Sequence, residues 1–132
     1  MKRRRFLATL AALGTGPISF IGQAEQPTGL GYLSVRADRQ RRYFLSGIDI
    51  RGRLNFDLPL PERAHAVALH PGGEAAVVIA RRPGTFLQII DLRQGRLLER
   101  LECKPGRHLY GHGIFSRDGK YLYTTENDFG AA

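Results

Sequence analysis

Two stretches with one pattern, ALHPGGEAAV at residues 68–77 and IFSRDGKYLY at residues 114–123, decide the fold. Each has an apolar pair, a polar residue, a short turn, a glycine, a charged residue and the start of a new apolar run. A glycine in a hairpin permits the positive φ angle that other residues resist. The equivalent glycines, Gly73 and Gly119, are 46 positions apart (119 minus 73), close to the about 40–50 residues of one propeller blade. The repeat therefore predicts a β-propeller with four-stranded antiparallel blades.

Short apolar runs separated by turn residues continue along the chain after Pro27. They are rich in Val, Ile, Phe, Tyr and Thr, and Gly, Pro, Asp and Asn separate them, which is typical of strands and turns. From residue 25 onward, no stretch keeps apolar residues at helical spacing for about a dozen residues. We therefore predict an all-β mature chain, with strands at 30–36, 43–50, 54–58, 65–69, 75–80, 86–92, 97–102, 113–115 and 121–125.

The predicted blades occupy residues 28–60, 64–102 and 109–132. They make about two and a half blades, whereas closed propellers have roughly four to eight. Each blade buries its faces against its neighbours, so an open stack exposes apolar faces and strand edges. We therefore expect residues 25–132 to be an incomplete β-propeller, the N-terminal part of a longer protein. A sandwich with repeated hairpins is the alternative architecture.

Residues 1–24 have the features of an export signal. A basic segment at residues 2–5 precedes an apolar run at residues 6–13, and small residues, Gly22 and Ala24, stand where a signal peptidase requires them. Cleavage is expected after Ala24. The apolar run is much shorter than the about 20 residues of a membrane-spanning helix, so no stable membrane anchor is expected.

Within this signal, the order Arg3-Arg4-Arg5-Phe6-Leu7 is similar to the twin-arginine export motif, in which two arginines, any residue, Phe and Leu follow one another. An ordinary Sec signal with a basic start is the alternative. The twin-arginine pathway exports proteins that have already folded. The sequence therefore predicts a periplasmic protein whose first partner is the twin-arginine export machinery.

Charge and cysteine content exclude two classes of function. The formal net charge is +8, but residues 1–24 contribute +4 and the remaining basic residues are dispersed. Nucleic-acid-binding proteins usually gather such residues on one face, so no nucleic-acid partner is expected. Cys103 is the single cysteine, which excludes an internal disulfide and a zinc site with two thiolates.

Three segments together are similar to a known family: residues 107–128 (RHLYGHGIFSRDGKYLYTTEND), 63–73 (RAHAVALHPGG) and 80–84 (ARRPG). The chain resembles domain-of-unknown-function family 1513, a group of twin-arginine-exported bacterial proteins, over nearly its whole length. The resemblance implies a propeller of about seven blades, akin to lactonase-like and quinoprotein-like propellers. It also implies an iron-related periplasmic role, because the genes of such proteins tend to lie beside those of imelysin-type iron-uptake proteins and a dihaem oxidoreductase-like protein. It implies no defined activity.

His65 and His112 occupy nearly equivalent places, at or just before the first strand of their blades. First strands line the channel of a propeller, so these imidazoles could bind a metal or orient a ligand at its mouth. The full candidate set is His65, His108, Tyr110, His112, Glu126 and Asp128. Two histidines are fewer than the three or four ligands of a typical metal site, and histidine is common before inner strands as a structural residue. A structural role is therefore favoured, and the sequence identifies no metal or cofactor.

No nucleophile elbow, zinc-protease helix or haem-attachment cysteine pair occurs in the sequence. The leading functional hypothesis is therefore a non-enzymatic periplasmic binding scaffold in iron acquisition, with periplasmic iron-uptake proteins as partners. The second hypothesis is a propeller enzyme, lactonase-like or a metal- or quinone-dependent oxidoreductase, whose site lies at the channel mouth.

Overall fold

A computed structural model describes residues 29–128, and this part of the chain contains nine β-strands and no helix. The all-β prediction is confirmed. The predicted signal at residues 1–24, including Ala24, lies outside the described residues. The strands are β1 (Leu30–Ala37), β2 (Tyr43–Asp49), β3 (Leu54–Leu60), β4 (Ala64–Leu69), β5 (Ala75–Ala80), β6 (Phe86–Asp91), β7 (Arg96–Glu102), β8 (Arg107–Phe115) and β9 (Leu122–Asp128). In the described range, no helix long and apolar enough to cross a membrane is found.

The strands form three antiparallel sheets in which every strand pairs with its neighbours in the chain. Sheet 1 has the order β1-β2-β3, sheet 2 has the order β4-β5-β6-β7, and sheet 3 pairs β8 with β9. Sheet 2 is therefore the four-stranded meander that the hairpin repeat predicts. None of the three sheets closes on itself.

The first strand of sheet 3 is longer than predicted. We expected a strand only at residues 113–115, but β8 begins at Arg107 and pairs with β9 from its first residue. The prediction was wrong because Gly111 and Gly113 weaken the strand pattern. The ladder accommodates them through an irregular register between Leu109 and Gly113.

The two repeated hairpins have the same hydrogen bonds. In the β4–β5 hairpin, the Gly73 N–H donates to the His70 carbonyl at 2.8 Å, and the His70 N–H donates to the Ala75 carbonyl at 2.9 Å. The β8–β9 hairpin repeats both bonds 46 positions later, at 2.9 Å and 2.8 Å, with Gly119 in the place of Gly73. Both glycines have positive φ, 76° and 69°. The sequence repeat is therefore a structural repeat.

A second repeat relates sheet 1 to sheet 2. The β2–β3 turn at residues 48–54 reads IDIRGRL, and the β6–β7 turn at residues 90–97 reads IDLRQGRL. The pairing register shifts at the same place in both turns, just before residues 48 and 90. The leading aspartate also accepts from the N–H two residues later in both, at 2.8 Å for Asp49 and 2.9 Å for Asp91. Strands β1, β2 and β3 therefore correspond to β5, β6 and β7, and residues 29–128 contain no counterpart of β4 in sheet 1.

The three sheets share one hydrophobic core. Its members come from every sheet and include Leu45, Ile79, Ile90 and Leu109, all fully buried. Strand β8 packs against β4 and β5, and β1 contacts β4. The glycine of the β6–β7 turn lies against β3 so closely that a Cβ there would be 2.7 Å from Phe56. The Phe56 side chain of sheet 1 therefore packs directly against the backbone of a glycine in sheet 2.

The Asp49 carboxylate stabilises the β2–β3 turn by accepting hydrogen bonds. It accepts from the N–H groups of Arg51 and Arg53, both at 2.8 Å, and from Arg53 Nε at 2.7 Å. The backbone N–H of Arg53 is the largest influence on the pKa of Asp49, and the further bonds from both arginines act in the same direction. Together they outweigh desolvation and lower the pKa of Asp49.

We predict that Asp49→Asn lowers the thermal unfolding midpoint at pH 7 and that this difference shrinks in acid. A carboxylate with a lowered folded-state pKa stabilises the fold above the unfolded-state value of about 3.9. This contribution is lost as the pH falls through the folded-state value. Thermal melts of both proteins between pH 7 and pH 2 measure the difference. A difference that stays constant over this range would contradict the assigned role of the Asp49 charge.

Candidate functional site

The structure brings two of the six candidate ligand residues, His65 and His112, into direct contact. The imidazole rings of His65 on β4 and His112 on β8 meet edge to face, with ring centroids 4.9 Å apart and an interplanar angle of 90°. His108, the second residue of β8, lies opposite Asn127 in the β8–β9 register. His65 and His112 are both exposed, so this contact lies at the surface where sheets 2 and 3 adjoin.

Irregular pairing in β4 and in β8 places these rings. The register of β4 shifts between Ala64 and Ala66, at His65, and that of β8 shifts between Leu109 and Gly113. Such irregularities bend a strand and redirect its side chains, and they are common next to functional sites. Here they direct side chains of two sheets toward one another.

Gly111 provides the space that His65 occupies. Its φ is +94°, and a Cβ at this position would lie 2.7 Å from the Cβ of His65 and 2.9 Å from two ring atoms. By the 46-residue repeat, Gly111 is the residue equivalent to His65, whereas His112 is equivalent to Ala66. The two histidines therefore meet because Gly111, opposite His65, has no side chain. They are not equivalent in the repeat, since His112 comes one position after the equivalent of His65.

Arg82 is a member of the site that sequence reasoning missed. Its guanidinium carbon lies 5.3 Å from the centre of the Tyr110 ring, a cation–π contact. The Leu109 N–H donates to the Gly84 carbonyl at 2.9 Å, which holds the β5–β6 loop against β8. Tyr110 thus contacts Arg82, and Gly111 and His112 contact His65. We call His65, Arg82, Tyr110, Gly111 and His112 the bulge site.

Glu126 and Asp128 belong to a separate contact. Arg107 Nη2 lies 2.5 Å from Asp128 Oδ2, and Arg107 Nη1 lies 3.7 Å from Glu126 Oε2. One arginine thus contacts both carboxylates and offsets one of their two negative charges. Among residues 29–128, no group of three or more His, Cys, Asp and Glu side chains is placed to hold a metal ion. What the bulge site offers a ligand is two imidazoles, a phenol and a guanidinium.

We predict that Gly111→Ala destabilises the protein more than Gly106→Ala. Gly106 has a similar φ of +81° but open space around its missing Cβ. Both substitutions incur about 1–2 kcal/mol for the left-handed backbone, and Gly111→Ala adds about 1–3 kcal/mol for overpacking against His65. Chemical denaturation of both variants measures the difference in the free energy of unfolding.

A His65→Gly background supplies the control, because it removes all three atoms that the new Cβ would meet. In that background, Gly111→Ala and Gly106→Ala should have similar costs. Equal costs in the presence of His65 would contradict the close contact between His65 and Gly111.

The part of the chain that contains the bulge site is similar to a known protein family. No curated protein matches the sequence. The sequence model of a family described as "Protein of unknown function (DUF1513)" matches residues 58–132, more than half of the chain. The matched range includes strands β4 to β9 and every residue of the bulge site. The chain belongs to the DUF1513 family.

Proposed function

We propose that the three sheets are consecutive blades of a β-propeller that serves as a periplasmic binding scaffold. Sheets that follow one another in the chain pack side by side, and their hairpins repeat at blade spacing. Strands β4 and β8, each the first strand of its sheet, contact one another, as first strands do around the channel of a propeller. The observation that carries this proposal is the repeated hairpin, which has the same two backbone hydrogen bonds in both copies.

The position of sheet 1 supports the same arrangement. Strand β1 corresponds to β5, the second strand of sheet 2, and β1 contacts β4 as β5 contacts β8. Sheet 1 therefore has the relation to sheet 2 that sheet 2 has to sheet 3. In the proposed propeller, a strand from elsewhere in the ring pairs with β1 and completes its blade, which removes an exposed strand edge.

A binding role is favoured over catalysis by the composition of the bulge site. Imidazole, phenol and guanidinium groups can all donate hydrogen bonds to a ligand, and neither of the two side-chain contacts described in the bulge site, His65 with His112 and Arg82 with Tyr110, pairs a Ser, Thr or Cys nucleophile with a base. The iron-related and periplasmic parts of the proposal rest on the family resemblance and on the twin-arginine motif.

We predict that deleting the gene reduces uptake of radioactive iron by iron-starved cells and that a wild-type copy restores it. A copy carrying Arg3→Lys and Arg4→Lys should stay in the cytoplasm and fail to restore uptake, because the twin-arginine machinery requires the arginine pair. Cell fractionation with an antibody against the protein reports its location. Normal uptake in the deletion strain would overturn the iron-related role, and export of the double variant would indicate a Sec signal.

An enzyme is the second candidate, because His65 and His112 do meet at the surface. In that case, we predict a stoichiometric metal in the protein purified from the periplasm, and its loss in a His65→Ala, His112→Ala double variant. Elemental analysis of both proteins decides this point. A metal-dependent turnover of lactones or quinols by the wild-type protein would replace the scaffold proposal with the enzymatic one.

A further inference from the structure

We propose that the bulge site binds a small oxyanion, a carboxylate or phosphate compound. This inference rests on the binding role proposed above and specifies its ligand class. The argument begins with Arg82, whose guanidinium lies over the Tyr110 ring. The N–H donors of a guanidinium lie in the plane of the group, where they fit two oxygens of a carboxylate or phosphate. Because the contact with Tyr110 restrains the Arg82 side chain, less entropy is lost when an anion binds.

Two further arginines adjoin Arg82. The Arg81 N–H donates to the Arg63 carbonyl at 2.9 Å, so these exposed residues lie side by side where β4 begins and β5 ends. In the described part of the chain, none of the three arginines takes part in an ion pair. Two acidic residues lie nearby: exposed Glu62 precedes Arg63, and Glu102 accepts a hydrogen bond from Thr85 at 2.8 Å. The close placement of Arg63, Arg81 and Arg82 makes the local potential favourable for an anion.

The histidines complete the donor set. An imidazole carries at least one ring N–H, and the exposed rings of His65 and His112 meet where sheets 2 and 3 adjoin. Gly111, between Tyr110 and His112, leaves the space that the His65 side chain occupies. The positive charge of the arginines favours an anion over a cation as the ligand. It repels a metal ion, which would also have only two imidazole ligands here.

The test is titration of the protein with sodium phosphate and, separately, with sodium citrate, followed by calorimetry at constant ionic strength. Arg82→Gln should weaken binding by about tenfold, as expected for loss of a charge-assisted bidentate contact. Arg82→Lys keeps the charge but lacks the planar fork, so it should weaken binding to an intermediate extent. Arg117→Gln removes the same charge from an exposed arginine in the β8–β9 hairpin and should change affinity by less than about twofold. Thermal melts confirm that each variant is folded.

Saturable binding of phosphate alone assigns the site to phosphate compounds, and binding of citrate alone assigns it to carboxylates. Equal weakening by Arg82→Gln and Arg117→Gln would overturn the proposal, because it would show attraction to net charge only. Absence of saturable binding to the wild-type protein would also overturn it. Neither result bears on the scaffold role, which the iron-uptake experiment tests separately.

Discussion

The contact between Ile79 and Gly113 sets how closely sheet 3 approaches sheet 2. Ile79 is fully buried, and its Cδ1 lies only 2.6 Å from the position that a Cβ on Gly113 would take. A glycine in a strand weakens that strand by roughly 0.5–1 kcal/mol, whereas burial of an isoleucine side chain gains about 1.5–3 kcal/mol. The balance favours close packing, and the contact of β8 with β4 and β5 depends on it.

The bulge site follows from this packing. Once β8 lies against β5, the loop after β5 reaches β8 through the Leu109–Gly84 hydrogen bond, and Arg82 comes to lie over Tyr110. On the other side, Gly111 accepts the ring of His65 in the space of its missing side chain. Two glycines, at positions 111 and 113, thus have separate roles: Gly113 receives a core side chain, and Gly111 receives a side chain of the candidate site.

Sequence reasoning predicted the all-β class and the meander of sheet 2, because turn glycines and strand composition are local signals. It missed the IDIRGRL and IDLRQGRL repeat, since Gln94 adds one residue to the second copy and breaks the spacing. Among the candidate ligands it identified His65, Tyr110 and His112, but it grouped them with Glu126 and Asp128, which contact Arg107 instead. Arg82 was not predicted because its contact with Tyr110 joins residues 28 positions apart (110 minus 82). Only the packing of a loop on a neighbouring sheet creates that contact.

The most direct measurement of this account is a proton nuclear Overhauser experiment on the folded protein. Sheet-on-sheet packing places the Ile79 δ-methyl against the α protons of Gly113, and the His70 ring against Gly119 in the next hairpin. The account predicts strong cross-peaks for both pairs. If both are absent while the cross-strand peaks within each hairpin remain, the sheets do not stack as consecutive units, and the propeller proposal is contradicted.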